Sequence, residues 1–156
     1  MAERLSGKVA WVLGAAGKDN MGQVIARRFA EEGATVIVGG RHMDVLGELA
    51  DEISGLAIEC DITRMEDIKH SVTTIKSTYS KLDIAVNCTG WGLLVPFEDT
   101  PEEDLQKMMD LQFKGPYQFM QVLVGEMSNS ASIIQISSAT ATILVGNHHA
   151  YIGTKA

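Results

Sequence analysis

Short, unbroken apolar runs alternate along this chain with longer stretches in which apolar residues return every three or four positions. The first run is Val9-Ala10-Trp11-Val12-Leu13, a pattern that fits a strand buried on both faces of a parallel sheet. Gly14 to Gly17 breaks it, and Lys18-Asp19-Asn20 continues the turn. A helix is predicted from about Met21 to Glu32. Met21, Ile25 and Phe29 form one apolar row, and Gly22, Ala26 and Ala30 form a small-residue row that lets the helix approach a sheet closely. Gly33 stands where a glycine commonly ends a helix. Thr35 to Val38 reads as the second strand and ends at Gly39-Gly40-Arg41. Val45, Leu46, Leu49, Ala50 and Ile53 mark a second helix that stops at Gly55. Leu56 to Cys60 is the third strand, ending at Asp61, and Met65, Ile68, Val72 and Ile75 mark a third helix. Leu82 to Val86 is the fourth strand, followed by Asn87-Cys88-Thr89-Gly90. After a loop from Trp91 to Asp99, Thr100, Pro101 and Glu103 have the pattern of an N-cap, a first-turn proline and a capping box. The helical pattern continues to about Met127, with a bend or break expected at Gly115-Pro116. Ser132 to Ile136 is the fifth strand.

Strand and helix alternate throughout, which predicts an α/β fold: a Rossmann-like, doubly wound parallel sheet with helices on both faces, three layers in all. The 156 residues are expected to form one domain. Right-handed crossovers place the C-terminal ends of all strands on one edge of the sheet. Gly14, Arg41, Asp61, Asn87 and Ser138 all fall at those ends, where open α/β sheets bind ligands.

Charge narrows the partners. A net charge of −7 argues against nucleic acid as the main partner, although a local basic pocket can still take a phosphorylated cofactor. No apolar stretch reaches the roughly 18 residues that span a bilayer, so no membrane partner is expected. The N-terminus has no signal-peptide pattern, and a cytoplasmic location is expected. Cys60 and Cys88 have neither metal spacing nor the look of a disulfide framework and read as free thiols. Adjacent His148 and His149 point different ways on a helix or strand, so no metal site is expected there.

The first strand–helix turn carries Gly14, Gly17 and Gly22. Glycines in such a turn let backbone N–H groups approach a pyrophosphate at a helix N-terminus, although this spacing departs from G-x-G-x-x-G. The nucleotide can be argued from charge. A site for NAD wants a carboxylate at the end of the second strand, to hold the ribose 2′-OH. Gly39-Gly40 stands there instead, followed by Arg41, which could pair with a 2′-phosphate, with Lys18 assisting. NADP is therefore expected over NAD.

The end of the chain carries the candidate chemistry. Tyr151 and Lys155 are spaced to share one helix face, and Ser138 follows the fifth strand. An ammonium near a phenol favours the phenolate and makes the tyrosine a usable general acid or base.

Taken together, these residues resemble the short-chain dehydrogenase/reductase family, and the resemblance covers the whole chain. Tyr151-Ile152-Gly153-Thr154-Lys155 matches the family's Tyr-x-x-x-Lys, and Ser138 its upstream serine. Asn87-Cys88-Thr89-Gly90 is similar to the Asn-Asn-Ala-Gly motif, and Asp61 to the acidic position that bonds adenine. The resemblance implies Ser138, Tyr151, Lys155 and Gln112 as the catalytic set. It implies a cofactor site of Gly14, Ala16, Gly17, Lys18, Asn20, Met21, Gly22, Arg41, Asp61, Ile62, Asn87, Cys88, Thr89 and Gly90, with Tyr151 and Lys155. The implied reaction is hydride transfer between a nicotinamide and a small-molecule carbonyl or alcohol, with Tyr151 as the proton donor or acceptor. Homodimers or homotetramers through the helix from Asp104 to Met127 are also implied.

Three features depart from the family pattern. Leu13 replaces a threonine, and the glycine turn is longer, with Asn20 at the middle glycine's place, as in the superfamily's enoyl-thioester reductases. Gln112 stands where the family has asparagine. Family members are longer, so the chain reads as the front part of a longer protein that lacks the later strands and the substrate loop. The substrate stays open among 3-oxoacyl thioesters, steroids, sugars and small ketones. The alternative is a non-catalytic nucleotide-binding or interaction protein of the same fold. Trp91 would either wall the cleft or simply pack.

Overall fold

In the computed structural model, which describes residues 3–156, five parallel strands form one sheet. They are β1 (Val9–Leu13), β2 (Thr35–Gly40), β3 (Leu56–Glu59), β4 (Ile84–Asn87) and β5 (Ser132–Gln135), in the order β3-β2-β1-β4-β5. β1 pairs in register with β2 from Val9↔Thr35 to Leu13↔Gly39, and with β4 from Ala10↔Ile84 to Leu13↔Asn87. The chain winds one way from β1 to β3 and the other way from β4, so the strand order reverses beside β1. A doubly wound sheet binds its ligand at that place.

Helices α1 (Met21–Glu31), α2 (Met43–Glu52), α3 (Met65–Tyr79), α4 (Glu102–Met109), α5 (Gly115–Glu126) and α6 (His149–Lys155) connect or follow the strands. The two-residue period of a strand divides them between the faces. Val9, Trp11 and Leu13 of β1 pack with Ile68, Val72 and Ile75 of α3 and Phe119 and Leu123 of α5. Val12 packs on the opposite face with Ala26 of α1 and Leu46 and Leu49 of α2. Each layer therefore covers one face, as the alternation predicted. Trp11 and Phe119 meet with ring centroids 5.1 Å apart. The Trp11 indole N–H is buried without a hydrogen-bond partner. It fills the place of the missing side chain at Gly39, where a Cβ would lie 2.7 Å from Nε1.

Boundaries differ from the expectation in instructive ways. β2 runs on through Gly39 and Gly40, because the ladder to β1 and β3 continues past the last large side chain. β4 starts at Ile84, and Asp83 just before it accepts from Val9 N through its carboxylate. The capping box at Thr100 does not form. The Thr100 hydroxyl donates to Pro96 O at 3.0 Å, and Pro101 stands at the N-cap without a side-chain bond. The break expected at Gly115-Pro116 takes the form of a π-turn, Asp110–Lys114, that joins α4 to α5 without leaving helical geometry. Pro116 has no N–H to continue an α-helical ladder, and the Gly115 N–H bonds Asp110 O instead.

β5 is the sheet edge beyond β4, and Ile134 on it is exposed. No described helix is long and apolar enough to cross a membrane.

Candidate active site

The turn after β1 is built around Gly14. Its φ of +95° lies in the left-handed region, and a Cβ there would sit 2.7 Å from Cys88 C and Thr89 N. The turn is then locked by side chains. Asn20 caps α1 by accepting from Gln23 N at 3.0 Å, and its Nδ2 donates to Gly14 O at 2.8 Å. Gln23, also buried, donates to Ala15 O and accepts from Asp19 N. Gly22 lies against the turn, because a Cβ there would be 2.7 Å from Gly14 O. The longer turn thus has a physical reason. Asn20 supplies the cap, and its amide ties the start of α1 back to Gly14.

A cavity of about 840 Å³ opens at this edge. It is lined by Gly14, Ala16, Gly17 and Asn20 of the turn, Arg41 after β2, Asp61 and Ile62 after β3, and Cys88, Thr89 and Gly90 after β4. Ten of the expected cofactor-site residues therefore share one space. Lys18, Met21, Gly22 and Asn87 are not in its lining. Met21 points into solvent, Gly22 faces the turn, and Asn87 is fully buried beneath it. Asn87 shapes the wall all the same. Its Oδ1 accepts from Thr89 N and Oγ1, and its Nδ2 donates to Gln135 Oε1 at 2.9 Å.

Arg41 and Asp61 face one another across this end, with Nη1 and Oδ2 4.0 Å apart. Thr63 donates its N–H and its hydroxyl to Asp61 Oδ1, which fixes the carboxylate's direction. Cys60 and Cys88 also line the cavity. Burial pushes the Cys60 thiol up to about 12 and the Cys88 thiol up to about 11, so both stay protonated near neutral pH. The opposite wall comes from α4, which the sequence reading had not placed at the site. Glu103, Gln106 and Lys107 line it at the one-turn spacing of a helix face, and Asp110 and Leu111 of the π-turn continue it. Lys107 Nζ stands 4.3 Å from the Trp91 ring centroid, so Trp91 does wall the cleft.

The candidate catalytic residues stand beside this cavity and outside its lining. Tyr151 and Lys155 share a face of α6, with Nζ 5.9 Å from the phenol ring centroid. Lys155 is anchored to the end of β5: Nζ donates to Ile136 O at 3.2 Å, and Ser137 Oγ donates to Lys155 O at 2.9 Å. Burial lowers the Lys155 ammonium's pKa, and the neighbouring Cys88 opposes that shift. A Cβ on Gly90 would lie 3.6 Å from Lys155 Nζ, so the lysine reaches the loop that edges the cavity. Ser138 caps the short 3₁₀ turn Ala139–Ala141. Its Oγ accepts from Thr140 N and shares a 2.8 Å hydrogen bond with Thr140 Oγ1. No hydrogen bond joins it to Tyr151 or Lys155 among the described residues. The rings of His148 and His149 diverge: His148 lies edge-on to Tyr151 at 5.9 Å and His149 edge-on to Phe97 at 5.6 Å.

A doubly wound α/β sheet with a glycine turn after its central strand and a Tyr-x-x-x-Lys helix at the same edge defines the class. A family model described as enoyl-(acyl carrier protein) reductase matches residues 14–156. An NAD-dependent glycerol dehydrogenase of Listeria innocua is 36% identical over 97% of this chain and 61% of its own length. A mitochondrial borneol dehydrogenase of Lavandula x intermedia is 30% identical over 97% of this chain and 60% of its own. Among solved structures, a short chain dehydrogenase from Mycobacterium smegmatis superimposes with a TM-score of 0.93 at 25% identity, covering 98% of this chain and 67% of that one. The chain belongs to the short-chain dehydrogenase/reductase family. It spans about 60% of the length of the curated relatives it matches.

Proposed function

We propose that the protein is an NAD(P)-dependent oxidoreductase that uses NADPH to reduce the carbonyl of a small ketone, a 3-oxoacyl compound among the candidates, to an alcohol. The observation that carries this reading is the placement of Tyr151 and Lys155. Both stand on α6, tied to the end of β5, beside a dinucleotide-sized cavity at the switch in strand order. The cavity's chemistry fits such a cofactor. Gly14 to Gly17 leave open backbone for a pyrophosphate, the oriented Asp61 carboxylate can accept from an adenine amine, and Arg41 can pair with a 2′-phosphate.

The bound cofactor would supply hydride to the carbonyl carbon. Tyr151 would give its phenolic proton to the carbonyl oxygen, with the Lys155 ammonium beside it. Thr140 can donate both its N–H and its hydroxyl to Ser138 Oγ. That arrangement leaves the Ser138 proton free to bond the substrate oxygen and polarise the carbonyl.

The reading is tested by following NADPH oxidation over a panel of ketones, 3-oxoacyl thioesters and sugars. A protein that oxidises neither NADPH nor NADH with any carbonyl, and reduces neither nucleotide with any alcohol, would end it. Arg41 decides the cofactor. Arg41→Ala is expected to weaken NADPH roughly tenfold or more while changing NADH by less than about threefold, since only the 2′-phosphate loses a partner. The Listeria relative is named NAD-dependent. Equal losses for the two nucleotides would remove the preference for NADP.

The same reading includes self-association through α4 and α5. Leu105, Met109, Phe113, Tyr117, Met120 and Val124 form an exposed apolar stripe along one side of this continuous helix. Phe113→Glu should shift the protein from dimer or tetramer to monomer in sedimentation. A wild-type protein that sediments as a monomer at micromolar concentration would refute the stripe as an interface.

A further inference from the structure

Gln112 sits in the π-turn between α4 and α5 and is almost fully buried. Both ends of its amide are used. Oε1 accepts from Trp91 N at 3.2 Å, and Nε2 donates to Thr154 Oγ1 at 2.8 Å. Thr154 is buried too, and its hydroxyl proton turns back to Tyr151 O at 3.0 Å or Ala150 O at 3.1 Å. One side chain therefore spans from the loop that edges the cofactor cavity to the helix that carries Tyr151 and Lys155. Asparagine, shorter by one bond of about 1.5 Å, could reach one partner but not both. The extra methylene that sets this chain apart from its family is what makes the span possible.

Among the described residues, three side-chain hydrogen bonds tie α6 to the rest of the protein. Two of them, Lys155 Nζ to Ile136 O and Ser137 Oγ to Lys155 O, hold Lys155 to the end of β5. The third, Gln112–Thr154, joins the π-turn to the buried face of α6.

We propose that Gln112 and Thr154 are a matched pair of positioning residues, whose hydrogen bond fixes the Tyr151–Lys155 helix against the Gly90–Trp91 loop. The inference rests on the oxidoreductase reading for its catalytic consequence, though not for the coupling itself. Loosening the pair leaves most of the cavity's walls in place, because the turn after β1 and the residues after β2 and β3 belong to other elements. It blurs where the Tyr151 hydroxyl stands. The effect therefore falls on kcat rather than on the KM for NADPH.

The test uses amide hydrogen exchange and steady-state kinetics on the same proteins. Thr154→Val removes the acceptor without changing shape, and Thr154→Ser restores it. Gln112→Met keeps the length and removes the donor. Thr154→Val and Gln112→Met should each speed exchange at Ile152 and Ala156 of the α6 segment about tenfold, the loss of one buried hydrogen bond, with the β1 amides unchanged. Thr154→Ser should return the wild-type exchange pattern. The double variant Gln112→Met/Thr154→Val should be no worse than the worse single, because both break the Gln112–Thr154 bond. With an active carbonyl substrate, kcat should fall about tenfold and the KM for NADPH should stay within about twofold. Unchanged α6 exchange in Thr154→Val, additive losses in the double variant, or equal loosening of β1 would each overturn the pairing. Exchange needs no turnover. A protein inactive on every substrate therefore counts against the oxidoreductase reading alone, while the exchange pattern still decides the coupling.

Discussion

Replacing Tyr151 with phenylalanine is expected to lower kcat for carbonyl reduction by about 10²–10⁴-fold, the usual worth of one positioned acid or base. The substitution deletes one oxygen and little else. The ring keeps its edge contact with His148 at 5.9 Å and its place beside Lys155, and α6 keeps its ties to Gln112 and Ile136. The phenolic oxygen makes no hydrogen bond among the described residues, so its removal leaves no buried partner unsatisfied. Folding should be unaffected and NADPH binding largely intact, because the cavity walls that would hold most of the nucleotide belong to other residues. Single-turnover kinetics with a fluorescence titration of NADPH on the same sample measures both quantities. A variant that retains wild-type kcat removes Tyr151 from the chemistry. One that loses kcat and nucleotide affinity in parallel makes it a binding residue instead.

Periodicity made the architecture legible because both sheet faces are covered. The unbroken run Val9–Leu13 could be stable only where Trp11 and Val12 each found a helix layer, and each does. The edge of the sheet was readable for the same reason, since strand ends are marked by glycine, asparagine, aspartate and serine. Local chemistry was a poorer guide wherever a nonlocal partner competed. Thr100 has the sequence of an N-cap, but its hydroxyl donates to the carbonyl of Pro96 instead. The α4 wall of the cavity was not foreseen. In the sequence Glu103 stands out only as a capping-box residue, and Gln106 and Lys107 become cavity walls only once the Trp91 loop is placed opposite them. The face spacing was visible, but nothing in it distinguishes a cavity from bulk water. Gln112 was found by its register to Gly115, which located the residue without indicating its partners. Thr154 drew no notice, because a threonine between a tyrosine and a lysine has no signature of its own. Only the fold brings it to the buried amide.

Gly14→Ala is expected to cost roughly 2–5 kcal/mol of stability and to remove nucleotide binding with it. About 1–2 kcal/mol comes from holding a side chain at positive φ, and about 1–3 kcal/mol from overpacking. The overpacking is severe because the obstacle is main chain. The new methyl would stand 2.7 Å from Cys88 C and Thr89 N, and those atoms cannot give way independently. Cys88 N bonds Leu13 O at 2.8 Å, and Thr89 N is held by Asn87 Oδ1 at 2.9 Å. Moving the turn instead breaks the bonds of Gly14 N to Gly39 O and of Asn20 Nδ2 to Gly14 O, and presses on Gly22. Either escape displaces a wall of the cavity. At about 2–4 °C per kcal/mol for a chain of this size, the melting temperature should fall by roughly 4–20 °C, and NADPH should no longer raise it. Gly47→Ala is the control. It lies inside α2 with nothing within 4 Å of the added methyl, and it should gain about 0.4–1 kcal/mol from helix propensity and a less flexible unfolded chain. If Gly14→Ala melts with the wild type and is still stabilised by NADPH, the turn after β1 tolerates a side chain. The close approach of that turn to the Cys88–Thr89 backbone would then not be what shapes the nucleotide site.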